Sequence, residues 1–337
     1  MELRAEKIKF KGTDAVSLTA GGYYAVIVPG LGSNALRFRD NDRDIEVFRY
    51  DENVCISEIM NAPEVWGLPT LYLPNRFDHG MLRTSDSVYR LPVNEDKFKN
   101  HIHGFLQKRA HKVKDMGTEN GKAFVKTVYE YDENDFFYSC FPVKFTVEIL
   151  FELSVEEGLR HTVTLTNNSE VMMPISCATH TTYCAPFVKG AKEEDIRLTL
   201  PAEKKLIFNK KRWLPAERSM ALNTYDKEYV NGEKCPVLTN ICNDMYSTAS
   251  AELNGKPFRG TVMTDKASGR SICNEIDENY KFWIVWNDEG FKNYFCVEPM
   301  TAQVNAPNLT MSAEKSGYRE IKPGESYTVT QRFFTIG

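Results

Sequence analysis

The sequence predicts an all-β protein, built as a large antiparallel β-sandwich with few short helices. Two segments carry this prediction, KAFVKTVYEY and VKFTVEILFEL, because apolar residues recur at every second position, as on a strand with one buried face. Short turns separate successive segments of this kind, which favours antiparallel pairing. No amphipathic helix longer than about two or three turns fits the 3.6-residue period. We therefore expect two packed sheets in a single domain covering residues 1–337.

The first 60 residues contain short apolar segments separated by turn-forming residues. Pro29-Gly30 and the charged sequence RDNDRD interrupt these segments, which predicts strands joined by turns. The predicted strands are Tyr23–Val28, Leu31–Phe38 and Asp44–Arg49. Residues 61–83 differ, because their prolines prevent a long regular element. We expect a long, structured surface loop there, ending in LPNRFDHGML.

The strand pattern is strongest in the middle of the chain. One face of VKFTVEILFEL is predicted to be buried, and it comprises Val143, Phe145, Val147, Ile149, Phe151 and Leu153. LRHTVTLTN and the more polar PISCATHTTYCAPF follow as further strands. Residues 188–250 are less regular, and we expect their basic clusters, Lys204-Lys205 and Lys210-Lys211-Arg212, to be solvated. Beyond them, Asn254-Gly255 and Ser268-Gly269-Arg270 predict turns between strands.

Composition and charge exclude several classes of protein. Hydrophobic residues make up 42% and charged residues 26%, as in soluble globular proteins, and the net charge is −4. No basic stripe indicates a nucleic-acid partner, and no apolar segment has the length that crosses a membrane. The first ten residues lack the apolar region of a secretory signal, and the eight cysteines form no CxxC pair. We expect a cytoplasmic protein with reduced cysteines and leave its oligomeric state open.

The stretch NYFCVEPMTAQVNAPN, residues 293–308, contains a carboxylate in an unusual setting. Its apolar first half predicts a buried strand, and Glu298 follows with no basic residue within five positions. Pro299 has no N–H to donate, so we expect it to end the strand. A buried carboxylate is costly unless it is hydrogen-bonded or used in chemistry. Two interpretations follow, a structural partner for a distant arginine or a catalytic base.

Histidines stand out in two other segments. His180 lies in a strand-like run among small and hydroxyl residues, where it is either a satisfied core histidine or a general acid. His101 and His103 are two positions apart, so a strand would turn both to one side, towards a metal or a sugar. No HExxH helix accompanies them, and a metal site is not predicted. Gly104 would allow a ligand to approach the backbone closely.

Two further polar positions have both a structural and a functional interpretation. Arg76, beside Asn75 in the proline-rich loop, either pins that loop or offers its donor fork to ligand hydroxyls or a carboxylate. Asp244, in CNDMYS, is on its own typical of a turn. The chain has no GxSxG elbow and no GxGxxG or Walker loop, which argues against a serine hydrolase and a nucleotide-binding protein.

Several of these segments occur together in a specific order. The order is Pro74-Asn75-Arg76-Phe77 with Gly80, then Asn100-His101-Ile102-His103-Gly104, Thr179–Tyr183, and Val297-Glu298-Pro299 followed by Asn305–Asn308. Taken together they resemble the galactose mutarotase (aldose 1-epimerase) family. Asn243-Asp244-Met245-Tyr246 also falls where the family has a similar segment. The family's asparagine before its catalytic histidine is Thr179 here, and its second glycine after the substrate-binding histidine is Phe105. Such departures lead us to expect a substrate preference different from galactose.

The resemblance implies a fold, a reaction and residue roles. The family fold is a large antiparallel β-sandwich, and mutarotation interconverts the α- and β-anomers of an aldose through the open-chain aldehyde. Glu298 would be the base and His180 the acid, and the apolar flank of Glu298 should raise its pKa. Substrate-binding roles would fall to Arg76, His103, Asp244 and Asn75. The resemblance implies a small-molecule sugar substrate, no nucleic-acid or membrane partner, and no metal or organic cofactor.

Three alternatives remain open from the sequence. The chain could be a non-catalytic carbohydrate-binding protein on the same fold, because fold does not fix function. It could be a mutarotase for phosphorylated hexoses, with Lys204–Arg212 or Lys108-Arg109 supplying a basic pocket for the phosphate. It could also be a glycosidase or lyase on a similar sandwich. A glycosidase requires two opposed carboxylates, for which Glu298 and Asp244 are candidates.

Overall fold

The computed structural model describes residues 2–337, and strands make up most of its regular structure. In chain order the strands are β1 Leu3–Phe10, β2 Thr13–Ala20, β3 Tyr23–Val28, β4 Asn34–Asp40, β5 Ile45–Glu46, β6 Thr70–Tyr72, β7 Arg76–Asp78, β8 Met81–Arg83, β9 Val88–Arg90, β10 Asn100–Ile102, β11 Lys112–Glu119, β12 Lys122–Tyr131, β13 Phe145–Ser154, β14 Gly158–Asn167, β15 Met173–Ile175, β16 Cys177–Thr179, β17 Thr182–Cys184, β18 Ile196–Thr199, β19 Ala202–Asn209, β20 Leu214–Ala221, β21 Asp244–Thr248, β22 Ala251–Leu253, β23 Lys256–Phe258, β24 Gly260–Asp265, β25 Ser271–Ile276, β26 Phe282–Trp286, β27 Tyr294–Met300, β28 Arg319–Ile321 and β29 Ser326–Ile336.

The helices are few and short. The α-helices are α1 Ile56–Asn61, α2 Thr224–Val230 and α3 Ala313–Ser316. Single turns of 3₁₀ helix cover Pro63–Val65, Leu106–Lys108, Phe136–Ser139, Glu193–Asp195 and Ala306–Asn308. Among residues 2–337, no helix is both long and apolar enough to cross a membrane.

Two eight-stranded antiparallel sheets form the body of the protein. The first has the order β11-β12-β13-β14-β29-β25-β24-β18. The second has the order β20-β19-β21-β26-β27-β16-β6, with β17 also paired to β27. A five-stranded sheet, β1 to β5 in chain order, lies at the N-terminal end of the chain. The predicted all-β antiparallel class is therefore confirmed.

The main core lies between the two large sheets. The predicted buried face of β13 is fully buried, at 0% exposure for Phe145, Val147, Ile149, Phe151 and Leu153. Across the interface, the ring of Tyr72 on β6 meets that of Phe145 edge-on, with centroids 5.0 Å apart. Each such side chain contributes roughly 1.5–3 kcal/mol when it is removed from water. The alternating pattern thus predicted the face on which the second sheet packs.

The expected surface loop at residues 61–83 was wrong for the middle of this stretch. Thr70–Tyr72 is a fully buried strand, β6, which pairs with β16 at the edge of the second sheet. An edge strand forms a ladder on one side only, so Pro69 and Pro74 at its two ends do not interrupt pairing. This strand matters for the site, because it lies directly beside the strand that leads to His180.

Both predicted turns join neighbouring strands. Asn254 and Gly255 connect β22 to β23, with φ values of 52° and 73° that suit asparagine and glycine. Residues Ser268 to Arg270 lie between β24 and β25, which pair from Thr264–Ser271 onwards. The turn-forming residues of these two segments were therefore sufficient to predict where the strands are connected.

Candidate active site

His180 lies in a short break between two strands of the second sheet. β16 ends at Thr179 and β17 begins at Thr182, and between them the His180 N–H donates to the carbonyl of Pro69 at 3.1 Å. The imidazole is buried, with 5% of the residue exposed, and its ring meets that of Trp286 edge-on at 5.8 Å. The break therefore turns the ring to the outer face of the second sheet, away from the main core.

Glu298 lies on the neighbouring strand β27, facing the same side. The expectation that Pro299 ends this strand was wrong, because β27 continues to Met300. The N–H groups of Val297 and Thr301 donate to Thr181 and Cys177, at 3.2 and 2.9 Å. Pro299 occupies the position between them, where the facing chain is interrupted at His180 and no donor is required.

Glu298 and His180 meet directly, and we refer to them as the Glu298–His180 pair. The Oε1 atom of Glu298 lies 3.2 Å from Nε2 of His180, and both side chains are almost fully buried. Burial raises the pKa of the Glu298 carboxyl to about 8, against the opposing charge of Arg76. Burial lowers the pKa of His180 to about 4, against the opposing charge of Glu64. Between these limits the two side chains together hold one proton.

Arg76 stands beside the Glu298–His180 pair in a fixed orientation. Its guanidinium donates to both carboxylate oxygens of Glu95, from Nε to Oε2 at 3.0 Å and from Nη2 to Oε1 at 2.7 Å. Its Nη1 lies 3.4 Å from the side-chain Oδ1 of Asn75. The backbone carbonyl of Asn75 accepts a hydrogen bond from the backbone N–H of His103 at 2.9 Å. Asn75 therefore links Arg76 to His103 and has a left-handed φ of 56° that asparagine tolerates.

His103 approaches His180 from the other side of the site. The two rings are nearly perpendicular, with centroids 5.3 Å apart. Burial, followed by the charges of His180 and Arg76, holds the pKa of His103 well below its usual range, so this ring stays neutral. Its Nδ1 atom is buried and has no hydrogen-bond partner in the protein, as is also true of Nδ1 of His180.

His101 and His103 do not share a face, contrary to the expectation from their spacing. β10 ends at Ile102, and His103 takes a left-handed φ of 64°, which breaks the alternation. Nδ1 of His101 instead lies 2.7 Å from the carbonyl of Pro92, and its ring packs against Phe137. Within the described part of the chain, no group of three or more histidine, cysteine, aspartate or glutamate side chains could hold a metal ion.

Gly104 is required by a close contact within the protein, whereas its expected role was to let a ligand approach the backbone. Its φ is 59°, and a Cβ atom at this position would lie 2.1 Å from the carbonyl oxygen of Tyr72. The close approach that requires glycine is therefore to the backbone of β6. This contact places the turn carrying His103 against the strand that flanks His180.

Asp244 faces the opposite side of the sheet from Glu298. Met245 is level with Glu298 through the intervening strand β26, and side chains that are level across a sheet share a face. The Asp244 carboxylate instead lies 3.2 Å from Nζ of Lys205 and accepts a hydrogen bond from the Tyr225 hydroxyl at 3.1 Å. The structure therefore brings together five of the predicted site residues, Glu298, His180, Arg76, His103 and Asn75, and not Asp244.

Comparison with known proteins identifies the family. The sequence profile of the family described as aldose 1-epimerase matches residues 14–333, nearly the whole chain. The chain belongs to the aldose 1-epimerase family.

Solved structures agree with this membership. The chain is 30% identical to a galactose mutarotase-like protein from Clostridium acetobutylicum, with a TM-score of 0.94 and 98% of each chain covered. A galactose 1-epimerase from Lactobacillus acidophilus NCFM shares the fold, with a TM-score of 0.72 at 14% identity over 99% of each chain. The Escherichia coli K12 protein named Uncharacterized protein YihR is 27% identical over 175 residues. That match spans 49% of this chain and 48%, about half, of the E. coli protein.

In this aldose 1-epimerase family member, acidic residues support the site from positions that the sequence analysis did not single out. Glu95 fixes Arg76 and is itself bound by Nδ2 of Asn100 at 3.0 Å. Glu64 acts on His180 and accepts a hydrogen bond from Nε2 of Gln107 at 3.1 Å. Both glutamates lie outside the strands, in segments without a periodic pattern, so no local signal marks them.

Proposed function

We propose that this aldose 1-epimerase family member interconverts the α- and β-anomers of an aldose, with Glu298 as the general base and His180 as the general acid. One observation carries the proposal, the 3.2 Å contact between the two buried side chains. Ring opening moves protons at two oxygens that are bonded to the same carbon, C1. An acid and a base standing side by side match that arrangement, whereas a glycosidase requires carboxylates on opposite sides of the bond.

The reaction uses one proton acceptor and one proton donor in each direction. Ionised Glu298 takes the proton of the C1 hydroxyl, and protonated His180 gives its Nε2 proton to the ring oxygen. The bond between C1 and the ring oxygen breaks as the C1 carbonyl forms. After rotation about C1–C2, His180 takes the proton from the C5 hydroxyl and Glu298 returns one to the C1 oxygen. Each group contributes about 10²–10⁴-fold to the rate.

Arg76 and His103 are the residues that we assign to the sugar hydroxyls. Arg76 is held by Glu95 and still carries a donor, Nη1, whose contact with Asn75 is long at 3.4 Å. His103 is neutral and has a buried ring nitrogen without a protein partner, which a hydroxyl would satisfy. Asn75 acts through these two neighbours. We leave Asp244 out of the sugar site, because its carboxylate is engaged by Lys205.

An unphosphorylated sugar is the substrate that the charges favour. Four of the cations in the two segments named for a phosphate pocket are already paired with carboxylates. Lys108 lies 3.6 Å from Glu64, Arg109 lies 2.5 Å from Asp135, Lys205 lies 2.8 Å from Asp226, and Arg212 binds Asp78. A phosphate bound by these four cations would have to displace their carboxylates, whereas a neutral aldose would not.

The test is NMR exchange between anomers, measured for several aldoses and for a hexose 6-phosphate. We expect the wild-type protein to accelerate anomer exchange of at least one unphosphorylated aldose. Glu298→Gln and His180→Ala should each lower the rate by about 10²-fold or more. Glu152→Gln is a suitable control, because Glu152 lies on β13 of the other sheet and is paired with Lys122. A wild-type protein that binds sugars and accelerates none would identify the non-catalytic alternative.

A further inference from the structure

His103 and His180 are in near contact, yet different charges surround them. The charges acting on His103 are those of Arg76 and Lys108, besides the neighbouring histidines, and all of them lower its pKa. The charge acting on His180 is that of Glu64, which opposes the effect of burial on the pKa of that ring. Burial lowers the pKa of both rings, whose centroids are 5.3 Å apart, but the surrounding charges lower it further at His103 and oppose the lowering at His180.

Glu64 is fixed next to the His180 segment by its backbone and by its side chain. The Thr182 hydroxyl lies 3.2 Å from the carbonyl oxygen of His180 and 3.4 Å from that of Glu64, so one side chain joins the two segments. Nε2 of Gln107, a residue only 2% exposed, donates to Oε1 of Glu64 at 3.1 Å. Oε1 of Gln107 is itself buried without a partner, so this corner is polar and tightly enclosed.

From this arrangement we infer that Glu64 is a positioning residue for the proton shared by Glu298 and His180. Its negative charge favours the state in which the proton lies on Nε2 of His180 and Glu298 is ionised. Arg76 acts in the same sense, because its positive charge favours ionised Glu298. This inference rests on the proposed function and adds a residue to it, since ring opening starts from that charged state.

The proton shift within the pair is balanced and needs no further reactant. The O–H bond of neutral Glu298 breaks, its proton moves to Nε2 of His180, and an N–H bond forms. The product is a carboxylate beside an imidazolium, with the same total charge as before. In a buried site this charge separation is costly unless fixed charges of the correct sign flank it. Arg76 and Glu64 are such charges, because Arg76 acts on Glu298 and Glu64 acts on His180.

Other charged or titratable groups reach His180 from the elements packed around it. Those with a contact or charge effect on His180 itself are Glu298 on β27, His103 after β10, and Glu64 on the 3₁₀ turn Pro63–Val65. Lys108, on the turn Leu106–Lys108, and Arg76, on β7, act on the neighbouring His103, and Arg76 acts on Glu298 as well. Lys108 opposes Glu64, since its Nζ lies 3.6 Å from Oε1 of that residue. Its side chain is 50% exposed against 19% for Glu64, so solvent screens the lysine more strongly.

The test compares the pH dependence of anomer exchange in the wild-type protein and in Glu64→Gln. We expect Glu64→Gln to lower kcat by about three- to tenfold with KM nearly unchanged. Both limbs of the pH profile should move to lower pH, because every protonated state of the pair loses a stabilising negative charge. Glu64→Asp should recover much of the rate. Lys108→Met should move both limbs to higher pH, because it removes a positive charge.

Glu152→Gln is the matched control. Glu152 has a lysine partner at 3.3 Å and an exposure of 24%, close to the values for Glu64, but it lies on the other sheet. An unchanged kcat and pH profile in Glu64→Gln would overturn the inference. A raised KM at unchanged kcat would also overturn it, and would make Glu64 a sugar-binding residue.

A second measurement separates this inference from the proposed function. The ¹⁵N resonances of the His180 imidazole report directly whether Nε2 carries the proton, in the absence of any sugar. We expect the titration of the His180 ¹⁵N resonances to move to lower pH in Glu64→Gln than in the wild-type protein, because Glu64 opposes the effect of burial on that ring. If the wild-type protein accelerates no aldose, the proposed function fails, and the ¹⁵N comparison still decides the role of Glu64. Identical ¹⁵N titrations would overturn that role.

Discussion

Oε1 of Glu298, on β27 of the second sheet, lies 3.2 Å from Nε2 of His180, in the break between β16 and β17, and both residues are buried. The positive charge of Arg76 acts on Glu298, and the negative charge of Glu64 acts on His180. Both charges therefore favour the state in which Glu298 is ionised and His180 is protonated.

The pH dependence of kcat/KM should be bell-shaped. The pKa of Glu298 is raised to about 8 and that of His180 is lowered to about 4, so the pair holds one proton between these values. Below the lower limb both groups are protonated and no base is available. Above the upper limb the last proton is lost and no acid is available. Anomer exchange rates measured from about pH 3 to 9.5 test this, and a rate that keeps rising above the upper limb would contradict it.

Glu298 should reduce the stability of the protein at neutral and alkaline pH. Its folded-state pKa is about 8, above the unfolded value of 4.5, so its stabilising effect is complete below the unfolded value. That effect is lost as the pH rises through the folded value. Glu298→Gln should therefore be more stable than the wild-type protein by about 4–5 kcal/mol near pH 8.5, and by little near pH 4. Urea denaturation at both pH values measures the difference, and Glu152→Gln should show no such gain.

The fold could be predicted from the sequence wherever one face of a strand is buried. β13 alternates because it packs on the second sheet through one face, and that period is visible in its residues. β6 is also buried, but it is only three residues long and lies in a segment flanked by Pro69 and Pro74. The neighbours that bury it are distant in sequence. Periodicity cannot mark so short an element, which explains why a surface loop was expected there.

The candidate site could be predicted only in part, for reasons of backbone geometry. Glu298 and His180 are conspicuous as polar residues in apolar strands, but their assignment to a site came from the resemblance to the aldose 1-epimerase family. The direction of His103 depends on a left-handed φ of 64°, which no residue pattern indicates. Asp244 was expected at the site because of its position in a family segment, but the register of β21 turns it to the other face. Glu95 supports the site through tertiary contacts alone, and only the structure locates it.

Arg76→Lys should raise KM by about tenfold or more, while the upper limb of the pH profile stays at nearly the same pH. Lysine keeps the positive charge near Glu298 but cannot bind both oxygens of Glu95, so the cation loses its fixed orientation. Sugar binding depends on that orientation, whereas the pKa of Glu298 depends mainly on burial and charge. Steady-state kinetics at several pH values separate the two effects.

The matched control for this substitution is Arg37→Lys. Arg37 forms the same kind of two-oxygen contact with Glu46, at 2.9–3.2 Å, on the N-terminal five-stranded sheet. We expect Arg37→Lys to change the free energy of unfolding and not KM. An equal rise in KM for both variants would mean that Arg76 acts through overall stability and not through the sugar.

Gly104→Ala should damage both stability and activity, whereas Gly121→Ala should cost little. Both glycines have a left-handed φ, 59° and 76°, so each alanine adds a similar backbone strain of about 1–2 kcal/mol. At Gly121 nothing lies within 4 Å of the added Cβ, but at Gly104 it would lie 2.1 Å from the carbonyl oxygen of Tyr72. The backbone there must move, and His103 moves with it. We expect Gly104→Ala to lower the free energy of unfolding by about 3 kcal/mol or more and to remove most of the activity. Thermal denaturation and anomer exchange measure the two effects. Equal stability and activity in the two variants would contradict the prediction.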